Sequence, residues 1–222
     1  GEEGSRFPFV PWAKPVAKEL EGEKGTWHWE YTDNKLHQIE DAEQIRDHMF
    51  RAIYGTFANT KRHPKNATLE LVWVAFIGGK RESRRLMGDL VLTMKDVTES
   101  RRFDDEVVIE KRPVDVHYQQ KYTGHPNDFL SEALFRNTGG LYYLPFRSFC
   151  CRDISNLMMA GRCFSCSHIG LAGPRVMKTC GQMGIATGYA AALCTKYDAV
   201  PRDVGRRHIK ELRRLIGYEK VT

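Results

Sequence analysis

The sequence predicts an α+β chain, and three observations carry the prediction. Apolar residues recur at helical spacing from Ile39 to Phe57 and again in the last quarter of the chain. Short β-type runs lie between them, at 69–77, 90–92, 106–110 and 112–117. Past residue 145 the pattern changes. A brief apolar run, Leu157–Ala160, ends at Gly161, and a loop leads into a helix rich in small residues. The expectation is a sheet-based part over 1–145, with a mixed or antiparallel sheet, and a part over 146–222 with one closing strand and two helices.

The elements follow in order. Pro8, Pro11 and Pro15 punctuate a start without clear period, and Gly22 and Gly25 close it. Trp27, Trp29 and Tyr31 alternate with His28 and Glu30, so they line one face of a strand. That face reads as sheet core or as the aromatic wall of a ligand pocket. Ile39, Ala42, Ile45, Met49, Phe50, Ile53 and Phe57 form the stripe of an amphipathic helix. Glu40 and Asp41 stand near its start, where negative charge is favoured. The polar stretch Asn59–Asn66, with Pro64, ends it.

Leu69–Ile77 reads as a buried strand and runs into Lys80-Arg-Glu-Ser-Arg-Arg85. A loop after a strand is where functional groups gather. The same residues also suit a solvated basic turn with one internal ion pair. Leu90–Leu92 reads as a short strand. Thr93-x-x-Asp96 is a capping pattern that opens a short helix. Over 112–117, alternation puts Asp115 and His117 on one face. A carboxylate there can orient the imidazole and favour its charged form, or both can be structural.

In the last third, Gly181, Gly184, Gly188, Ala191 and Ala192 share one helical face. Such a face lets a sheet backbone or a flat ligand come close. The final helix is expected from Pro201-Arg202-Asp203, with Asp203 as N-cap and Val204, His208, Leu212 and Leu215 turned inward. Its arginines and lysine form a solvated basic face.

Composition sets limits. Lys and Arg number 34 against 28 acids, a net charge of +6. That charge is spread along the chain and comes with no nucleic-acid recognition motif, so no nucleic-acid partner is expected. No apolar run approaches about 18 residues, so no membrane span is expected. All six cysteines, at 150, 151, 163, 166, 180 and 194, lie in the last third. Cys163-x-x-Cys166 is half of a zinc or redox motif. It has no second pair of suitable spacing, so no metal site is expected, and the cysteines read as small buried residues.

Five stretches carry a resemblance. They are IRDHMFRAIYG (45–55), GGKRESRRLMGDLVLTMKDV (78–97), PVDVH (113–117), LPFRS (144–148) and NLMMAGRC…RVM (156–177). In this order they resemble FAD-dependent oxidoreductases of the glutathione-reductase-like superfamily, over roughly Trp27 to Leu215. The resemblance implies a substrate or cap domain over 1–145. It implies that 146–222 is the C-terminal part of a Rossmann-like FAD-binding domain, with a helix start aimed at the flavin. It implies flavin contacts from Gly161, Arg162, Arg175, Val176 and Met177, and it places Arg81, Arg84 and Arg85 near the domain junction as substrate-side candidates. The expected reaction moves a hydride from a substrate C–H to flavin N5, with a sugar or polyol alcohol as the small-molecule substrate. His168, in the loop before the small-residue helix, is the acid–base candidate, and His117 is the second.

One departure dominates. The strand–GxGxxG–helix unit that holds the FAD pyrophosphate does not occur in this sequence. The chain therefore reads as a C-terminal fragment that does not hold FAD alone. The apolar face of Leu157–Ala160 and the Gly/Ala helix would be left uncovered, and self-association is expected. Two rival readings are a non-catalytic binding module on the same scaffold and a thiol oxidoreductase using Cys163 and Cys166.

Overall fold

The computed structural model describes residues 35–119 and 131–218. Within them the fold is α+β, with helices and two two-stranded sheets. The described residues fall into two compact units. One takes 35–81, 117–119 and 131–133; the other takes 82–116 and 134–218. The larger unit holds both sides of residue 145. The expected strand at Trp27–Tyr31 lies outside the described residues.

In the smaller unit, helix α1 spans Ala42–Lys61. It begins three residues later than its apolar stripe suggests. Residues 37–41 form a turn instead, in which the Asp41 carboxylate accepts the His37 N–H at 2.7 Å. Ile45, Met49, Phe50, Ile53 and Phe57 are half-buried. A 3-10 turn at Pro64–Asn66 follows the helix, as Pro64 requires. The next segment corrects an expectation. Leu69–Ile77 is irregular rather than a buried strand, with Val72 88% exposed and Trp73, Phe76 and Ile77 also exposed. A strand needs a neighbour for its N–H and C=O groups, and among the described residues no ladder engages this segment.

In the larger unit, α2 (Met94–Thr98) opens with a complete capping box. The Thr93 hydroxyl accepts from the Asp96 N–H, and the Asp96 carboxylate accepts from the Thr93 N–H at 2.8 Å. Strands β1 (Glu106–Glu110), β2 (Val114–Gln119), β3 (Ser131–Arg136) and β4 (Tyr142–Pro145) follow. β1 pairs antiparallel with β4, with Val108 opposite Leu144 and Glu110 opposite Tyr142, and an irregularity after Glu106. β2 pairs with β3, and the chain passes out of the larger unit along β2 and returns along β3. The helices are α3 (His168–Leu171), α4 (Met177–Tyr197), α5 (Pro201–Arg207) and α6 (Ile209–Leu215).

Three further expectations are corrected by the larger unit. Leu90–Leu92 is no strand; only Leu92 forms a bridge, parallel to Cys166. Leu157–Ala160 is half-buried and makes one bridge, Met158 to Cys150, rather than joining a sheet. The face of Gly181, Gly184, Gly188, Ala191 and Ala192 is exposed, as expected of a face left uncovered, and a Cβ on any of the three glycines would meet nothing within 4 Å. The buried side of α4 is instead Thr179, Met183, Ala186, Ala190 and Leu193. Finally, the last helix starts after Val200 with Pro201 in its first turn and breaks at His208. Asp203 is therefore inside it and not its N-cap. His208 leaves helical geometry, and its ring lies flat on Tyr197 with centroids 4.0 Å apart.

The core of the larger unit gathers Leu92, Tyr142, Leu144, Phe146, Phe149, Phe164, Leu171, Met183, Val204 and Leu212, all essentially buried. Phe149 sits between Phe146 and Phe164 in edge-to-face contacts of 6.5 and 5.9 Å. β1 and β4 thus supply one wall of this core and α4 another.

Candidate functional site

The segment 82–92 runs beside the segment 163–167. The Leu86 N–H donates to the Cys163 carbonyl at 2.8 Å, and the Leu92 N–H donates to the Ser165 carbonyl at 3.1 Å. The Ser167 N–H returns to the Leu92 carbonyl at 2.8 Å. Gly170 must be glycine for this approach, because a Cβ there would stand 2.4 Å from the Leu92 carbonyl oxygen. These bonds join the segment 86–92 to the loop that follows Gly161.

Glu82, Arg85 and His168 stand together where the two segments meet. Both carboxylate oxygens of Glu82 lie 2.8 Å from His168 Nδ1, across 86 positions of sequence. The Arg85 guanidinium pairs with the same carboxylate, and its Nε donates to the Cys166 carbonyl at 2.9 Å. His168 is the first residue of α3, which Ser167 caps by accepting the Gly170 N–H at 3.1 Å. The His168 side chain is 61% exposed, while those of Glu82 and Arg85 are 25% and 22% exposed. Arg84 is exposed. Arg81 belongs to the smaller unit, as does His117, half-buried on β2. Sequence reading singled out the cations of KRESRR and passed over its one acid, Glu82. Its only local signal was the internal ion pair.

A second group fixes the start of α4. The buried carboxylate of Asp115 takes Arg112 at 3.0 Å and Arg175 at 3.1 Å. Arg175 also donates to the Asp115 carbonyl at 3.0 Å. The Thr179 hydroxyl donates to Glu110 at the end of β1. Arg175 is thus engaged in holding the helix start to the sheet. Beyond it, Val176 is the N-cap without a side-chain cap bond, and Met177 is 91% exposed. Gly161 adopts a left-handed φ of +81°, where glycine is favoured, and space is open on its Cβ side. Arg162 is exposed beside it.

The cysteines are free thiols. Cys163 is exposed, whereas Cys166 is buried and its thiol is pushed up to about 12 by that burial. A thiol so raised is a poor nucleophile at neutral pH. Among the described residues no group of three or more His, Cys, Asp or Glu could hold a metal ion, and no helix is long and apolar enough to cross a membrane. A shallow groove of about 290 Å³ lies along β1 and α4, lined by Val107, Ile109, Gln182, Ile185, Ile216 and Tyr218. Among its described lining residues there is no histidine, carboxylate or lysine to act as an acid or base.

No curated protein and no solved structure matches this chain. The family model for FAD dependent oxidoreductases matches residues 5–216, nearly the whole length and both segments that meet at His168. The chain belongs to the FAD dependent oxidoreductase family, whose general function is oxidation and reduction.

Proposed function

We propose that this chain supplies the flavin-side surface and the acid–base group for oxidation of a small alcohol, a sugar or polyol. The observation that carries this reading is the position of His168. Its exposed ring stands at the first residue of α3, in the connection between Gly161–Arg162 and the start of α4. Family membership supports FAD as the cofactor.

The residues present fit the flavin end of that cofactor. Gly161 leaves its backbone open to close approach, Arg162 brings an exposed cation, and α4 starts with uncapped N–H groups at an exposed face. The pyrophosphate end finds no glycine-rich strand–turn–helix in this sequence. FAD bound there would accept the hydride of the substrate C–H. Gly161, Arg162, Val176 and Met177 would hold and orient it by backbone contact and charge. Arg175 would act indirectly, by fixing the helix start to Asp115. His168 would take the substrate hydroxyl proton on a ring nitrogen. Arg84, exposed and close in sequence to Glu82 and Arg85, is the substrate-side cation this reading favours. The uncovered glycine face of α4 also supports self-association of the chain.

The test is His168→Ala in the complete flavin-holding protein of which this chain would be the C-terminal part, assayed by anaerobic flavin bleaching with a panel of sugars and polyols. Turnover falls by about 10²-fold or more while bound flavin stays in place. Undiminished turnover removes His168 from the chemistry.

A further inference from the structure

We propose that Glu82 is the positioning residue for His168, fixing the neutral ring as its Nδ1–H tautomer and leaving Nε2 as the base. This rests on the acid–base role proposed for His168 above. An ionised carboxylate only accepts hydrogen bonds. Both of its oxygens stand 2.8 Å from Nδ1, so that nitrogen carries the proton. A neutral imidazole has one N–H, and the other nitrogen, Nε2, then has a free lone pair. Nε2 has no partner among the described residues.

The carboxylate is itself fixed. Arg85 pairs with Glu82 and ties it to the chain two residues before His168, through the 2.9 Å bond from Nε to the Cys166 carbonyl. Glu82 and Arg85 are about three-quarters covered. An ordinary surface ion pair is a loose contact between long, solvated side chains. Here one guanidinium holds both the carboxylate and the backbone that carries the histidine. The ring is thereby held in tautomer and direction. When Nε2 receives a hydroxyl proton the ring becomes an imidazolium, and its charge stands beside the Glu82 carboxylate. No proton needs to reach Glu82.

The readout is the ring ¹⁵N spectrum of His168 in this chain, recorded at alkaline pH. The wild type shows a protonated Nδ1 and an unprotonated Nε2. Glu82→Ala loses that preference, and Glu82→Asp, which keeps the carboxylate, retains it. Glu82→Gln serves as the near-isosteric control for folding, and it also loses the preference because an amide can accept or donate. A wild-type ring protonated on Nε2, or an unchanged tautomer in both Glu82→Ala and Glu82→Gln, overturns the proposal. In the complete flavin-holding protein, Glu82→Ala lowers kcat on the order of tenfold or more with KM little changed, and Glu82→Asp recovers most of it. A tautomer lost with kcat intact would refute Nε2 as the base, and with it the reading of His168, while leaving the Glu82 contact standing.

Discussion

Gly184, on the open face of α4, and Gly170, in the short helix α3, give opposite signs when replaced by alanine. At Gly184 a new Cβ meets nothing within 4 Å, and the residue lies inside a 21-residue helix. Glycine in a helix interior costs roughly 0.5–1 kcal/mol relative to alanine, because the unfolded chain is freer. Gly184→Ala should therefore stabilise the chain by about that amount. For a chain of this size each kcal/mol moves Tm by about 2–4 °C, so the rise is about 1–4 °C. Gly181→Ala and Gly188→Ala should act alike and nearly add, since none of the three touches a common partner. Gly170→Ala is the contrast. Its Cβ would sit 2.4 Å from the Leu92 carbonyl oxygen, which accepts the Ser167 N–H. Overpacking against backbone costs about 1–3 kcal/mol, so Tm falls by several degrees. Thermal unfolding followed by far-UV circular dichroism reads both. A loss of about 1 kcal/mol or more in Gly184→Ala would mean that the face is covered, and the account of α4 would fail.

Two other outcomes follow from the larger unit. Burial raises the Glu106 carboxyl, but hydrogen bonds from Arg102 and the Phe103 N–H outweigh this and hold it below the usual carboxylate range. Its stabilising contribution is thus full above the ordinary carboxylate value and is lost as pH falls through the lowered folded value. Glu106→Gln should cost about 1–3 kcal/mol near neutral pH and flatten the acid limb of stability, and equal acid limbs in urea titrations would contradict this. Native thiol titration should modify the exposed Cys163 first and leave Cys150 and Cys166, both buried and pushed up to about 12, until unfolding. Two thiols released together only after reduction would instead favour a Cys163–Cys166 redox pair.

What the sequence made legible was local. The Thr93–Asp96 capping box needs only four residues, and it forms as read. The stripe from Ile39 to Phe57 needs only helical spacing, and α1 follows it with a shifted start. Which side of α4 is buried was not legible. Met183, Ala186, Ala190 and Leu193 recur at steps of three and four, and so do the small residues on the opposite side. Both faces are poor in bulk, so periodicity finds a helix without choosing its inner side. Leu69–Ile77 has strand composition, but pairing is supplied by a neighbour and not by the segment. Glu82 was missed for a related reason. Its meaning comes from His168, and only the pairing of 82–92 with 163–167 brings the two together.

We propose that this chain carries the flavin end of an FAD site, and its sequence holds no glycine-rich turn for the pyrophosphate. Backbone amide chemical shifts of the ¹⁵N-labelled chain, followed through a titration with FAD, test it most directly. The account predicts fast exchange, with a Kd weaker than about 1 μM, or less than about 8 kcal/mol of binding free energy. It also predicts that the shifts concentrate at Gly161, Arg162, Val176 and Met177 and along the exposed face of α4. A tight one-to-one complex in slow exchange, or shifts centred away from these residues, would contradict it.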